Sequence, residues 1–321
     1  MSKLDILVPH YHEGREIAQS LLDSIAIQQG IDFSDIRVII ADDGYDVPLD
    51  NEWLSTFPFE IMYLPCEHRG VSATRNSALD KSDAELVMFC DIDDMFYSVL
   101  GLWSIFKIYE KKPFDVFVPV FVEEQYHDGK ATYIDHQPSD AVFVHGKVFR
   151  REYLVEKGLR FNPALTIHED SYFIKLALRS TENVFRSDAS FYMWKWREGS
   201  VCRSDPKYLL KTFTNLMATQ SALVEEYQKR GYEDVCELVV SCCYMVYYTL
   251  CQGEWMDPAN KKFRDIAERS FREYFRRYGQ LGKGIDAKRQ MEISQNHRAS
   301  SIQRGMIQEP MSFGTWIRKM S

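Results

Sequence analysis

The chain has 321 residues, 45% hydrophobic and 27% charged, enough apolar material for one large or two ordinary globular domains. A net charge of −8 argues against a general nucleic-acid binder, which would carry a basic face. Seven cysteines with no C-x-x-C pair and no zinc spacing point to a reducing cytosol rather than to a disulfide framework. In chain order, Leu4 to Pro9 predicts a short buried strand, entered so early that no signal peptide is expected. Ile17, Leu21, Leu22 and Ile25 repeat at helical spacing from Glu16 to Gln29, closed by Gly30. Strands follow at Ile36–Ile40, Phe59–Leu64, Leu86–Cys90 and Asp115–Val122, with helices at Val71–Leu79, Leu100–Lys111 and Ser171–Arg179. This alternation predicts an α/β domain with a doubly wound, mostly parallel sheet. The stretch Gln125–Phe149 is mixed and is expected to carry loops over the sheet face.

From Asp205 the strand signals stop, and helical patterns run through Tyr208–Gly231, Asp234–Cys251 and Pro258–Tyr278. We place a boundary near Asp205-Pro206, giving domains 1–205 and 206–321. The tail after Gly282 is polar and weakly patterned. Leu238–Gln252 is too short and too polar to span a bilayer, and its surroundings read as the central helix of a bundle. Lys261–Lys283 interleaves basic and aromatic residues. It is a candidate for peripheral contact with an anionic membrane face, although Asp265, Glu268 and Glu273 interrupt the charge and favour a solvated amphipathic helix.

Two acidic groups close predicted strands, Asp42-Asp43-Gly44 and Asp91-Ile92-Asp93-Asp94. In open α/β sheets, ligands bind outside the carboxyl ends of the strands. Carboxylates crowded there repel one another unless a cation arrives, and Mg²⁺ or Mn²⁺ carrying phosphate oxygens meets that need. The plainer reading of either group is a solvated turn or a helix cap. Between them, Gly70 precedes a predicted helix flanked by Arg69 and Arg75, an arrangement suited to anions. Glu169-Asp170 opens another helix after His168. Acids favour that end, and a buried carboxylate beside a second acid also gains the raised pKa a general base needs.

In this order, Val8-Pro9-His10-Tyr11, Asp42-Asp43-Gly44, Arg69–Asn76 and Asp91-Ile92-Asp93-Asp94 resemble family 2 glycosyltransferases of the GT-A fold. Those enzymes read V-P-x-Y-N, D-D-G-S, G-x-S-x-A-R-N and D-x-D-D. Gly146-Lys147-Val148-Phe149-Arg150-Arg151, Arg160-Phe161-Asn162, Glu169-Asp170-Ser171 and Trp194-Lys195-Trp196-Arg197-Glu198-Gly199-Ser200 extend the resemblance, which covers Leu4 to Ser204. It implies a GT-A domain followed by a helical C-terminal domain. It further implies a metal-dependent, inverting hexosyl or N-acetylhexosaminyl transfer from a nucleotide sugar, by family habit UDP-linked, to a carbohydrate-type acceptor such as a surface polysaccharide or teichoic-acid-like polymer.

Residue by residue, the resemblance implies that Pro9, Tyr11 and Asp43 bind the base or ribose, with Asp42 a further contributor and Arg75 near the nucleotide. Asp91 would touch the ribose or sugar, and Asp93 would ligate Mn²⁺ or Mg²⁺. Asp170 would be the catalytic base, and Arg197 and Ser200 would meet the diphosphate. Arg69, Asp94, Lys147, His168, Glu169 and Trp196 are further candidates. The family's Asn after Tyr is His12 here, and Tyr45 stands where Ser or Thr is usual. Two other functions remain open on the residues alone: nucleotidyl transfer, and a non-catalytic sugar- or partner-binding module. The expected place of work is the cytoplasm, with the inner membrane face as a peripheral location.

Overall fold

A computed structural model describes residues 2–200, 207–303, 306 and 309–321. The chain divides into two compact units, Met1–Ser200 and Val201–Ser321. The boundary expected at Asp205-Pro206 lies outside the described residues, as do Cys202 and Ser204.

The first unit begins with β1 (Leu4–His10), α1 (Arg15–Ala26), β2 (Ile36–Asp42), α2 (Asn51–Leu54), β3 (Glu60–Pro65), α3 (Val71–Lys81) and β4 (Leu86–Phe89). Then come β5 (Met95–Phe96), α4 (Gly101–Lys111), β6 (Val116–His127), β7 (Lys130–His136), β8 (Val148–Arg150), α5 (Arg151–Glu156), α6 (Glu169–Arg179) and β9 (Val184–Trp194). One sheet runs β3-β2-β1-β4-β8-β6-β9-β5, with β7 added on β6. Its first four strands are parallel, with His10 paired to Asp42 and Leu7 to Phe89. This half is the parallel, helix-alternating sheet that the sequence predicts.

The other half is mixed. β8 runs antiparallel to both β4 and β6, β9 lies parallel to β6, β5 pairs antiparallel with β9, and β7 pairs antiparallel with β6. β7 and β8 fall in the segment read as mixed, where no strand is placed from the sequence. β8 has three residues and β7 is exposed along nearly its whole length, so neither carries a burial pattern that hydrophobic periodicity could detect.

β1 and β2 are buried on both faces, which explains their unbroken aliphatic runs. Leu21, Leu22 and Ile25 of α1 are fully buried in one core with Leu4, Ile6, Val8 and Val38. Each such side chain contributes about 1.5–3 kcal/mol through removal from water. At the head of β1, Asp5 is fully buried and accepts from Arg37 Nε (3.1 Å), Arg37 Nη2 (2.6 Å) and Ser82 Oγ (2.7 Å). This pairing pins the amino end of the parallel half, opposite the end where the other acids gather.

The second unit is helical: α7 (Tyr208–Lys211), α8 (Phe213–Arg230), α9 (Val235–Leu250), α10 (Gly253–Met256), α11 (Lys261–Tyr278), α12 (Ala287–Gln303) and α13 (Phe313–Met320). α9 buries Val239, Cys242, Val246 and Leu250 and packs on α8, α11, α12 and α13. The last two helices occupy the tail read as weakly patterned. α13 is capped by Ser312, whose Oγ accepts from the Thr315 N–H, and it buries Trp316 and Met320. On α11, Lys261 pairs with Asp265 and Arg264 with Glu268, and Arg277 reaches Glu225 on α8. No helix among the described residues is long and apolar enough to cross a membrane.

Candidate active site

The parallel strands deliver two acidic corners, one at the end of β2 and one after β4. At the β2 corner, Asp42 is the last strand residue and is buried. Its carboxylate accepts from the Tyr45 N–H (2.8 Å) and the Tyr63 hydroxyl, and lies 3.0 Å from His10 Nδ1. Asp43 accepts from the backbone N–H groups of Arg69 (2.8 Å) and Gly70 (3.0 Å), and lies 2.9 Å from His68 Nδ1. The close approach of that loop needs Gly44: at φ +79°, a Cβ there would sit 2.8 Å from the His68 nitrogen. Tyr11 lies flat on the His68 ring, with centroids 4.6 Å apart and an 11° interplanar angle, and Tyr45 meets His12 edge-on. Pro9 sits between these groups in β1, opposite Ala41. Arg69 joins this corner through its backbone N–H.

The β4 corner holds Asp91, Asp93 and Asp94 together with Arg75, Glu169, Asp170 and Arg197. The Arg75 guanidinium, 4% exposed, donates to Asp170 (2.7 Å), Asp91 (2.8 Å) and Glu169 (3.0 Å). Burial works against its charge, but the three carboxylates outweigh burial and keep it protonated. Arg197 donates from Nε to Asp93 (2.8 Å), and its Nη2 lies 3.4 Å from Glu13. Glu13 in turn accepts from the Tyr11 and His12 N–H groups (3.2 Å each). The two corners are thus joined through Arg197 and Glu13, a residue the sequence reading passed over.

The acids of this corner are unequally balanced. Burial raises Asp91 while Arg75 lowers it, with a net downward shift. Burial and the Asp91 charge push Asp93 up despite Arg197. Asp94 is fully buried and is driven well above the usual carboxylate range by burial, then by Asp91 and Asp93. It accepts from the Tyr192 hydroxyl (2.6 Å) and the Lys195 N–H (3.0 Å). Asp170 also accepts from the Val144 N–H (3.3 Å); burial lifts it to about 6, against the pull of Arg75.

His145 follows β7 in the chain and completes a group with Asp91 and Asp94, whose ligand-type atoms lie within 4.8 Å of one another. Its Nδ1 is buried, 3.6 Å from Asp94, with no hydrogen-bond partner among the described residues. Burial lowers its pKa, which leaves a neutral ring with a lone pair to give. An orphaned imidazole nitrogen facing two crowded carboxylates fits a divalent cation. Asp93, the ligand that the resemblance implies, lies outside this group and is held by Arg197. The sequence gives no sign of His145 as a ligand, because its neighbours in space are remote in the chain and give no spacing signal.

The remaining candidates are spread around the β4 corner. Lys147 is fully buried and donates to Asp140 (3.0 Å) and the Phe143 carbonyl (2.7 Å), holding the loop that presents Val144 and His145. His168 caps α6 with φ +64°, a left-handed conformation uncommon for a non-glycine residue, just before Glu169-Asp170. The Trp196 ring lies tilted beside Tyr126, with centroids 5.2 Å apart, and the Ser200 N–H donates to the Arg197 carbonyl at 3.2 Å.

The profile of Glycosyl transferase family 2 matches residues 5–182, more than half of the chain. The chain belongs to that family. The family 2 match takes in both acidic corners and Asp170, and ends before Arg197. Among solved structures, S. aureus TarS 1–349 superposes with a TM-score of 0.53 at 14% identity, covering 94% of this chain and 92% of that one. The same protein in complex with UDP-GlcNAc gives 0.54 at 14% identity, with the same coverage. At this identity the likeness is one of fold, and it extends through the helical unit as well as the family 2 domain. No curated protein matched the sequence.

Proposed function

We propose that the protein is a metal-dependent, inverting glycosyltransferase that moves a hexose or N-acetylhexosamine from a UDP-sugar to a hydroxyl of a carbohydrate acceptor. The observation that carries this reading is the β4 corner. There, five carboxylates (Asp91, Asp93, Asp94, Glu169 and Asp170) face two guanidinium groups and one orphaned imidazole nitrogen. Asp91, Asp94 and His145 would hold Mn²⁺ or Mg²⁺, with Asp93 added once Arg197 leaves it. Such a cation neutralises the diphosphate leaving group.

Arg197, one-third exposed, is the guanidinium that a diphosphate can recruit. Ser200 lies on the same turn. Pro9, Tyr11 and the Asp42-Asp43 pair form the base and ribose side, where Tyr11 offers a flat face and Asp43 an acceptor. Arg75 is a positioning residue that holds Asp91 and Asp170 at fixed separation. Asp170 takes the proton of the attacking hydroxyl, and its elevated pKa suits a base working near neutrality. A single base opposite the leaving group favours direct displacement with inversion. The TarS complex with UDP-GlcNAc makes uridine the first nucleotide to test. The cysteines among the described residues are unpaired, in keeping with work in a reducing cytoplasm.

Calorimetric titration with UDP, GDP, CDP and ADP, with and without Mn²⁺, tests the reading. We expect UDP to bind in a Mn²⁺-dependent manner and His145→Ala to weaken that dependence at least tenfold, on the order of a lost ligand-shell contact. Absence of binding by every diphosphate in both conditions would refute the donor site.

A further inference from the structure

The hairpin of β6 and β7 carries aromatic side chains on a face that the transfer chemistry does not use. Glu124 pairs across the hairpin with Tyr133, and Tyr126 with Ala131, so Glu124, Tyr126 and Tyr133 share one face by strand alternation. On the opposite face His136 stacks on Phe121 at 4.2 Å, while Lys130, Thr132 and Ile134 are exposed. On the first face, Tyr126 is 47% and Tyr133 57% exposed. Trp196 lies 5.2 Å from Tyr126, and its backbone N–H donates to Glu124 (3.1 Å), whose other oxygen accepts from the Tyr133 hydroxyl (3.4 Å). Glu124 thus links the Trp196 backbone to the Tyr133 ring, and Tyr126 lies beside Trp196, so the three rings form one platform. The residue after Trp196 is Arg197, bound to Asp93, so the platform adjoins the acidic centre.

We infer that this platform is the acceptor subsite and that it takes an uncharged glycan chain. This rests on the transferase reading above and narrows its acceptor class. A pyranose ring presents an apolar C–H face and a hydroxyl edge. Flat, exposed aromatic rings match the first, and carboxylate oxygens match the second. The charge of the face selects among glycans. Asp135 and Glu124 lie on it, and the hairpin contributes no Lys or Arg to it. A polyphosphate or polyuronate chain laid here would meet like charge, whereas a neutral chain would not.

The test uses the full chain and soluble probes: tetra- and hexasaccharides of glucose, galactose and N-acetylglucosamine, with poly(glycerol phosphate) and polygalacturonate as anionic comparators. Binding is followed by calorimetry in parallel with UDP plus Mn²⁺. We expect at least one neutral oligosaccharide to bind. Its affinity should fall about tenfold or more in the Tyr126→Ala/Tyr133→Ala double variant, with UDP binding unchanged. The Tyr126→Phe/Tyr133→Phe double variant should bind as the wild type does, because ring faces rather than hydroxyls carry the contact. Binding of the anionic polymers alone, equal glycan binding by the alanine variant, or no glycan binding by a protein that binds UDP would each overturn the inference. Glycan binding that is lost in the alanine variant, in a protein that binds no diphosphate, would leave the platform standing and remove the donor site instead.

Discussion

The two acidic corners sit at the ends of strands of one parallel array and solve the same electrostatic problem differently. At the β2 corner, Asp42 and Asp43 are met by backbone N–H groups, a phenol and imidazole rings, and neither pairs with a guanidinium group among the described residues. At the β4 corner, the acids face guanidinium groups and each other, and Asp93 and Asp94 remain raised by burial and mutual repulsion. Dipoles stabilise a carboxylate in place without cancelling its charge. Acids that outnumber their guanidinium partners keep a surplus that a proton or an incoming cation removes. The first corner is therefore organised before any ligand arrives, and the second is organised for one.

Substitutions separate the two corners most sharply where charge is moved during reaction. Asp170→Asn should lower kcat by about 10²–10⁴-fold while diphosphate affinity is retained. Since Asp170 is raised to about 6, the deprotonated base accumulates above that pH, so wild-type kcat/KM should climb through an acid limb near 6. Persistence of that limb in the Asn variant would assign it to another group.

Arg75→Met comes next. It strands three carboxylates around a buried site and should cost about 3–5 kcal/mol of stability in urea unfolding. Added Mn²⁺ should restore part of this loss. A loss below about 1 kcal/mol would mean that the corner relaxes into solvent, as an exposed pair does.

The smallest effect is expected at the β2 corner. Asp43→Asn keeps one acceptor oxygen and should cost about 1.5 kcal/mol, with no dependence on Mn²⁺. A metal-dependent loss there would erase the distinction between the corners.

The sequence displayed the parallel half of the sheet and nearly all acids of the site, because each is local. An aliphatic run marks a strand buried on both faces, and the acids follow it directly. His145, Glu13 and Tyr192 were not legible as site residues. Each acquires its place through a partner far along the chain: His145 beside Asp94, Glu13 beside Arg197, and Tyr192 donating to Asp94. β5 and β8 have two and three residues, too few for any period. The tail was different, because a signal was present. Phe313, Trp316, Ile317 and Met320 repeat at helical spacing behind a Ser312 cap, and the polar average of the region concealed them.

Gly44 has a bearing on how far this surface can be redesigned. The space where its side chain would begin is taken by the backbone at Cys66 and His68, so the steric veto comes from a distant loop and not from the turn itself. Inserting any side chain would pry the Arg69 and Gly70 amides away from Asp43, and the damage would appear at the proposed nucleotide face rather than at the mutated residue. Under that proposal, attempts to change base preference should vary Tyr11, His12, Tyr45 and His68, the rings that surround this joint, and leave the joint itself untouched.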